Sequence, residues 1–408
     1  MLFKTAPSSC LAITIPPAVY VAGSTIEGEV EVNVRQLHEE DIEEVVVKLR
    51  GTSETWITVD DNVLHEAIKL VHENAPIWSR GGTYPTPDSD ILRIPFSFTL
   101  PNELPPSFSY RPRLAHYIAD VRYSVTAVGV RKGLFHFNKR HRVPLAVLPK
   151  DDRGALMKEA YVTTGWKTFT KEEKIRRGLW GEYSTVHVEL AIPNIPVLPL
   201  FSDIPYTITI TTITAPSSRA KSREHNSDQP SFPPVPRDPH DIKFGLYQSL
   251  VIRALGVKGK EKNCVTTILG STKERRPQAP VESSFPEKEW VPLHGGSLGA
   301  EKEKDRSGDD GTKGSWTQRA IFESTFRLNC PCSFAVDNIE CSYSLVVNVP
   351  FPGIGNDLKL VVLVTVSSGI VKSLAQDPVA ASDDAPILDL PPAYWDLNDK
   401  KWDADEKE

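Results

Sequence analysis

Between Cys10 and Leu148 the apolar residues fall on alternate positions, as in Val30, Val32 and Val34 and again in Val121, Tyr123, Val125 and Ala127. A period of two puts every second side chain on one face, which is the mark of half-buried strands; a helix would return its apolar stripe every three or four residues. Turn-forming strings separate these runs: Ala22-Gly23-Ser24, Arg50-Gly51-Thr52, Arg80-Gly81-Gly82 and Pro105-Pro106-Ser107. Many short strands with such punctuation predict an antiparallel β-sandwich over residues 1–149.

The alternation then breaks. Residues 150–182 are charged, with Lys171-Glu172-Glu173-Lys174 and Arg176-Arg177, and read as an interdomain connection with room for a short helical turn. Strand patterning resumes at Thr185–Ile192, Tyr206–Ile213, Phe244–Leu255, Phe326–Val336, Ser342–Val349 and Leu358–Val366. A second sandwich over residues 183–372 follows, interrupted at 216–241 and 271–318 by Ser-, Pro- and charge-rich stretches. These hold too few apolar residues to offset the entropy of ordering them, so both are expected to be mobile.

Composition and charge sharpen this picture. The chain has 408 residues, room for two ordinary domains, with a formal net charge of -6 and 34 prolines. From Leu374 onward ten acidic residues face only three basic ones, while residues 1–373 carry 44 basic and 43 acidic side chains. The acidity therefore belongs to a tail, residues 373–408, which is expected to be disordered. A nearly neutral body excludes a generally basic nucleic-acid binder. Five cysteines, an odd and sparse set, do not form a disulfide framework and indicate a reducing compartment. Neither a secretory leader nor an apolar stretch long enough to span a bilayer is visible.

Particular strings then carry a resemblance. The run Pro17-Ala18-Val19-Tyr20-Val21-Ala22-Gly23-Ser24-Thr25-Ile26-Glu27-Gly28-Glu29-Val30 resembles the opening of the arrestin N-terminal domain. Val45-Val46-Val47-Lys48-Leu49-Arg50-Gly51 resembles its next strand. Ile94-Pro95-Phe96-Ser97-Phe98-Thr99-Leu100-Pro101 and Val121-Arg122-Tyr123-Ser124-Val125 resemble its closing half, in the same order and spacing. Tyr343–Val349 and Asp357-Leu358-Lys359-Leu360 resemble the last hairpin of an arrestin C-terminal domain. The resemblance implies an all-β arrestin fold, two consecutive immunoglobulin-like sandwiches acting as an adaptor without catalysis and without a cofactor. Beyond Lys372 the only basic residues are Lys400, Lys401 and Lys407. No arginine thus matches the one that latches the tail of visual and β-arrestins. The long inserts and the tail are similar instead to the arrestin-related trafficking adaptor, or α-arrestin, branch.

The tail holds Leu390-Pro391-Pro392-Ala393-Tyr394, a Pro-Pro-x-Tyr sequence of the kind WW domains read. Two prolines preset a polyproline II helix of three residues per turn, so that proline ring and tyrosine project together into adjacent grooves, and the preordering lowers the cost of binding. Pro16-Pro17-Ala18-Val19-Tyr20 is an internal contrast: its tyrosine falls one position late, where a strand begins. Pro391, Pro392 and Tyr394 are therefore the candidate binding residues for a WW-domain HECT-type ubiquitin ligase. Through it, cytoplasmic segments of membrane transporters or receptors would be ubiquitinated and sent into endocytosis or sorting. The protein would be cytoplasmic, recruited peripherally to the plasma membrane or endosomes. The competing reading is a structural trafficking subunit similar to the arrestin-like component of the retromer coat.

Arg131, Lys132, Lys139, Arg140 and Arg142 flank Phe135-His136-Phe137; in a hairpin they would form one basic face for acidic cargo segments or anionic lipid, or else merely keep an edge strand soluble. Gly295-Gly296-Ser297-Leu298-Gly299 formally matches a hydrolase nucleophile elbow but lacks the strand and helix that such an elbow needs. Cys330-Pro331-Cys332, Cys341 and Cys264 fall outside zinc spacing and read as buried thiols, with no metal site expected. Phe232-Pro233-Pro234-Val235-Pro236-Arg237 could dock a proline-reading domain, and Ile387-Leu388-Asp389-Leu390 is a partial clathrin box.

Overall fold

The computed structural model of the chain describes residues 10–86, 89–112, 116–132, 137–160, 163–178, 180–218, 231–270, 279–292 and 313–375. The first half forms β1 (Leu11–Thr14), β2 (Ala18–Val21), β3 (Thr25–Asn33), helix α1 (Val34–Glu39), β4 (Ile42–Val59), β5 (Asn62–Ser79), β6 (Ile91–Thr99), β7 (Phe108–Tyr110), β8 (Tyr117–Arg131) and β9 (Lys139–Leu148). The second half continues with α2 (Asp152–Ala160), β10 (Trp166–Arg176), β11 (Tyr183–Pro193), β12 (Leu198–Pro199), β13 (Ile204–Ile213) and β14 (Ser217–Ser218). After these come β15 (Lys243–Ala254), β16 (Val257–Leu269), β17 (Glu282–Ser284), β18 (Glu289–Pro292), β19 (Lys313–Phe326), β20 (Phe334–Ala335), β21 (Ile339–Val349), β22 (Leu358–Val364), β23 (Val366–Ser367) and β24 (Leu374–Ala375).

In the first sandwich a sheet ordered β1-β3-β6 faces one ordered β24-β2-β9-β8-β4-β5, with β7 also on β8. The alternation read from the chain is what closes it. Val47, Leu49 and Ile57 of β4 and Val121, Tyr123 and Val125 of β8 share the inner face and are buried, as are Ile26, Val30 and Val32 opposite. Gly51 is required where the Tyr123 ring crosses it, since a Cβ there would stand 2.6 Å from the ring. The second sandwich pairs a sheet built on β10-β11-β13-β19 with one built on β16-β15-β21, to which β20 and β22 attach. Val188, Leu190, Ile208, Phe244, Phe322, Leu345 and Val347 fill its centre.

Several expectations change. Residues 166–176, which their charge assigns to the connection, form β10, paired along its whole length with β11. As an edge strand it keeps one side open to water, and that tolerates Lys171 to Lys174. The connection itself holds α2. Within the insert 271–318, Glu282–Ser284, Glu289–Pro292 and Lys313–Gln318 are strand, because β19 offers its ladder to β17, β18 and β14. Within 216–241, Pro233 and Pro236 are buried, Phe232 and Val235 pack on the core, and Gln318 donates to the carbonyls of Ser231 and Pro233 at 3.2 Å each. That proline-rich run is packing material rather than an open ligand. Phe326–Val336 is strand only at Phe326 and at Phe334–Ala335.

The two sandwiches meet on a sewn seam. Buried Asn338 accepts from Ser53 Oγ at 2.7 Å and donates to the Ser53 carbonyl at 3.0 Å, Thr55 Oγ1 donates to the Arg253 carbonyl at 2.6 Å, and Phe108 meets Phe334 edge to face. After β23 the chain runs back along the connection. Ser368 Oγ donates to the Pro149 carbonyl at 2.8 Å and the Gly369 amide to Asp151 Oδ2 at 2.9 Å, after which β24 joins β2 of the first sandwich.

Candidate functional site

The basic hairpin is built by β8 and β9, whose register pairs Gly129 with Lys139, Val128 with Arg140, Ala127 with His141 and Thr126 with Arg142. Because successive strand residues point to opposite faces, this register splits the five predicted cations. Arg131 and Lys139 converge on Glu40, the residue that ends α1, Lys139 Nζ at 3.1 Å. Helix α1 stands there because Asn33 caps it by accepting from the Gln36 amide at 3.0 Å, while Val34 and Leu37 bury one side. Lys132, largely exposed, lies 3.5 Å from Glu43. Three of the five are thus already matched by two carboxylates of the same domain.

Arg140 and Arg142 lie on the other face of the sheet, Arg142 Nε donating to Thr126 Oγ1 at 3.3 Å. Lys48 and Arg50 of β4 share that face, Lys48 one strand beyond Thr126. Arg50 is spent on shape: its guanidinium donates to the carbonyls of Leu49 and Glu73 at 2.9 and 2.8 Å and to Asn74 Oδ1 at 2.7 Å. His141 adds no charge. Burial pulls its pKa down, and its Nδ1 accepts from the Ile13 amide at 3.0 Å, which requires a neutral ring. Beneath the cluster, burial pushes the Cys10 thiol up to about 11.

Sequence reasoning missed a second charged group on the same outer face. Asp120, fully buried, receives Arg111 Nη2 at 2.6 Å and Nε at 3.1 Å, together with Arg122. Burial by itself would raise this carboxyl, but the hydrogen bond from Arg111, the charge of Arg122, and hydrogen bonds from Ser109 and Arg122 outweigh it and hold the pKa below its ordinary value. Arg122 lies 5.9 Å from the centre of the Trp56 ring, which stacks on His65 at 4.9 Å. The available signal was the polar file Asp120, Arg122, Ser124 and Thr126, interleaved with the apolar file of β8.

Of the remaining candidates, Cys330, Cys332 and Cys341 are buried and Cys264 is exposed on β16; among the described residues no group of His, Cys, Asp and Glu could hold a metal ion. Pro391, Pro392, Tyr394 and Ser297 lie outside the described residues, as do Phe135 and His136. Among the described residues no helix is long and apolar enough to cross a membrane.

Comparison with known families matches residues 11–153 to the domain described as arrestin (or S-antigen), N-terminal domain. A search of curated proteins finds no match to the chain.

Proposed function

We propose that this chain, which carries an arrestin N-terminal domain at residues 11–153, is an α-arrestin-type adaptor that brings a WW-domain HECT-type ubiquitin ligase to membrane cargo. The observation that carries this reading is Pro391-Pro392-Ala393-Tyr394 in an acidic tail of a chain with an arrestin domain. The attachment of β24 to β2 supports it. Fifteen residues separate Ala375 from Pro391, a reach of at most about 55 Å, so a ligase bound at the motif would stay close to whatever the first sandwich holds. Cargo recognition would fall to the outer face around Arg140, Arg142 and Lys48, suited to acidic segments of transporter or receptor tails or to anionic headgroups. Catalysis would belong to the ligase, and the protein would work at the cytoplasmic side of the plasma membrane or endosomes.

Tyr394→Ala should abolish capture by a WW-domain array, and undiminished capture would refute the reading. Arg140→Glu with Arg142→Glu should weaken binding to acidic cargo peptides, while Glu40→Gln, which releases Arg131 and Lys139, should strengthen binding to anionic vesicles. The competing reading, a coat subunit similar to the arrestin-like component of retromer, draws on the sewn seam between the sandwiches, which suits a rigid building block. It predicts a stoichiometric complex that survives purification from cells and no binding to WW domains.

A further inference from the structure

In the second sandwich β16 comes first in the order β16-β15-β21, and among the described residues it pairs with β15 alone. One edge of its backbone therefore has no ladder partner among the described residues. Lys258, Lys260 and Lys262 occupy alternate positions on it, so all three stand on the same face, and all three are exposed. Their neighbours across the ladder are Arg253, Val251 and Ser249. Arg253 is already matched, 3.3 Å from Glu340. Among the described residues no carboxylate lies within salt-bridge distance of the three lysines, whose single ring contact places Lys262 Nζ 5.9 Å from the centre of Tyr247. The hairpin of the first sandwich is different, since there Glu40 and Glu43 meet Arg131, Lys139 and Lys132.

The opposite face of β16 is committed to the domain seam. Tyr110 Oη donates to Glu261 at 3.5 Å, and the Tyr117 ring lies so close over Gly259 that a Cβ there would come within 2.2 Å of it. Among the described residues, what remains open is the lysine face and the outer backbone edge.

We propose that this edge docks an extended acidic segment of a partner protein, added to the sheet as a further strand. A chain laid beside β16 would bond to its outer amides and carbonyls. Its residues i, i+2 and i+4, about 6.8 Å apart, would face Lys258, Lys260 and Lys262. Acidic side chains at those three positions complement the stripe. The residues between them would face Gly259 and the seam, so small ones fit. The partner sequence is thus an alternation of Asp or Glu with Ser, Thr, Ala or Gly. An anionic bilayer could match the charge but not the ladder groups of the edge. This inference does not depend on the tail motif.

The test uses the full chain and a fluorescent peptide, Thr-Glu-Ser-Glu-Thr-Glu-Ser, followed by anisotropy. Binding should weaken as salt rises. The variant Lys258→Gln, Lys260→Gln, Lys262→Gln should lose roughly tenfold in affinity, with an unchanged melting temperature confirming its fold. A peptide of the same composition with its glutamates consecutive, and one N-methylated along its pairing edge, should bind more weakly than the alternating peptide. Equal binding by the triple variant, or by the rearranged and N-methylated peptides, would overturn the proposal. So would lysine-dependent binding of phosphatidylserine vesicles without peptide binding. Peptide binding seen only in a chain ended after Ala375 would give the edge to the protein's own acidic tail and would overturn the partner assignment.

Discussion

Replacing Asp120 by Ala removes a buried carboxylate that Arg111 and Arg122 both meet. Arg122 is 8% exposed and cannot turn to water, whereas the Arg111 side chain, 36% exposed, partly can. Breaking a buried ion pair from one side costs about 3–5 kcal/mol, and the accessible partner places the expected loss near the lower end, about 3 kcal/mol. For a domain of this size that is a fall in Tm of about 6–12 °C. Asp120→Asn, which keeps the shape and one acceptor, should lose less. The sign with pH follows from the depressed folded pKa: the stabilisation is complete above the unfolded carboxyl value near about 3.9 and is lost as pH falls through the folded value. The gap between wild type and Asp120→Ala should therefore be constant from about pH 5 to 8 and narrow below about pH 4. Thermal unfolding followed by circular dichroism at a series of pH values measures it. A variant melting within about 1 °C of wild type at neutral pH would refute the reasoning.

Two further outcomes follow from the packing. Asn338→Ala strips both side-chain hydrogen bonds from buried Ser53 and should cost about 1–3 kcal/mol, with denaturant unfolding separating into two transitions as the seam loosens; one unshifted transition would contradict it. Of the five thiols, Cys264 should react at once with a thiol reagent at pH 8, and Cys10, Cys330, Cys332 and Cys341 only on unfolding. Burial pushes Cys10 up to about 11 and Cys330 up to about 12, so rapid modification of more than one thiol would contradict the packing.

The strands were legible wherever one face of a sheet is core. Val121, Tyr123, Val125 and Ala127 face the apolar core and alternate with Arg122, Ser124 and Thr126, which are buried as well but on the opposite, polar face, so the alternation records which face meets the core. Edge strands were legible only in part. On β10 both faces are largely wet, so no apolar alternation marked Lys171 to Lys174 as strand. The short strands β17 and β18 have no core of their own and exist because β19 offers them a ladder. Pro391, Pro392 and Tyr394, the proposed WW-domain ligand, are read from the order of residues alone and lie outside the described residues.

The order of apolar and polar residues, acting through the hydrophobic effect on neighbouring positions, determined by itself that this chain builds β-sandwiches. Which charges meet was decided only by tertiary structure. Arg131 and Arg142 lie 11 residues apart in sequence and belong to opposite faces once the β8–β9 register is set, and Glu40, 91 residues before Arg131, arrives through the docking of α1. Asp120 and its two arginines, and the lysines of β16 left without a counterion among the described residues, likewise depend on which strands lie side by side. Coulomb interactions are paid by distance in space, and the sequence of residues does not state those distances until the ladder closes.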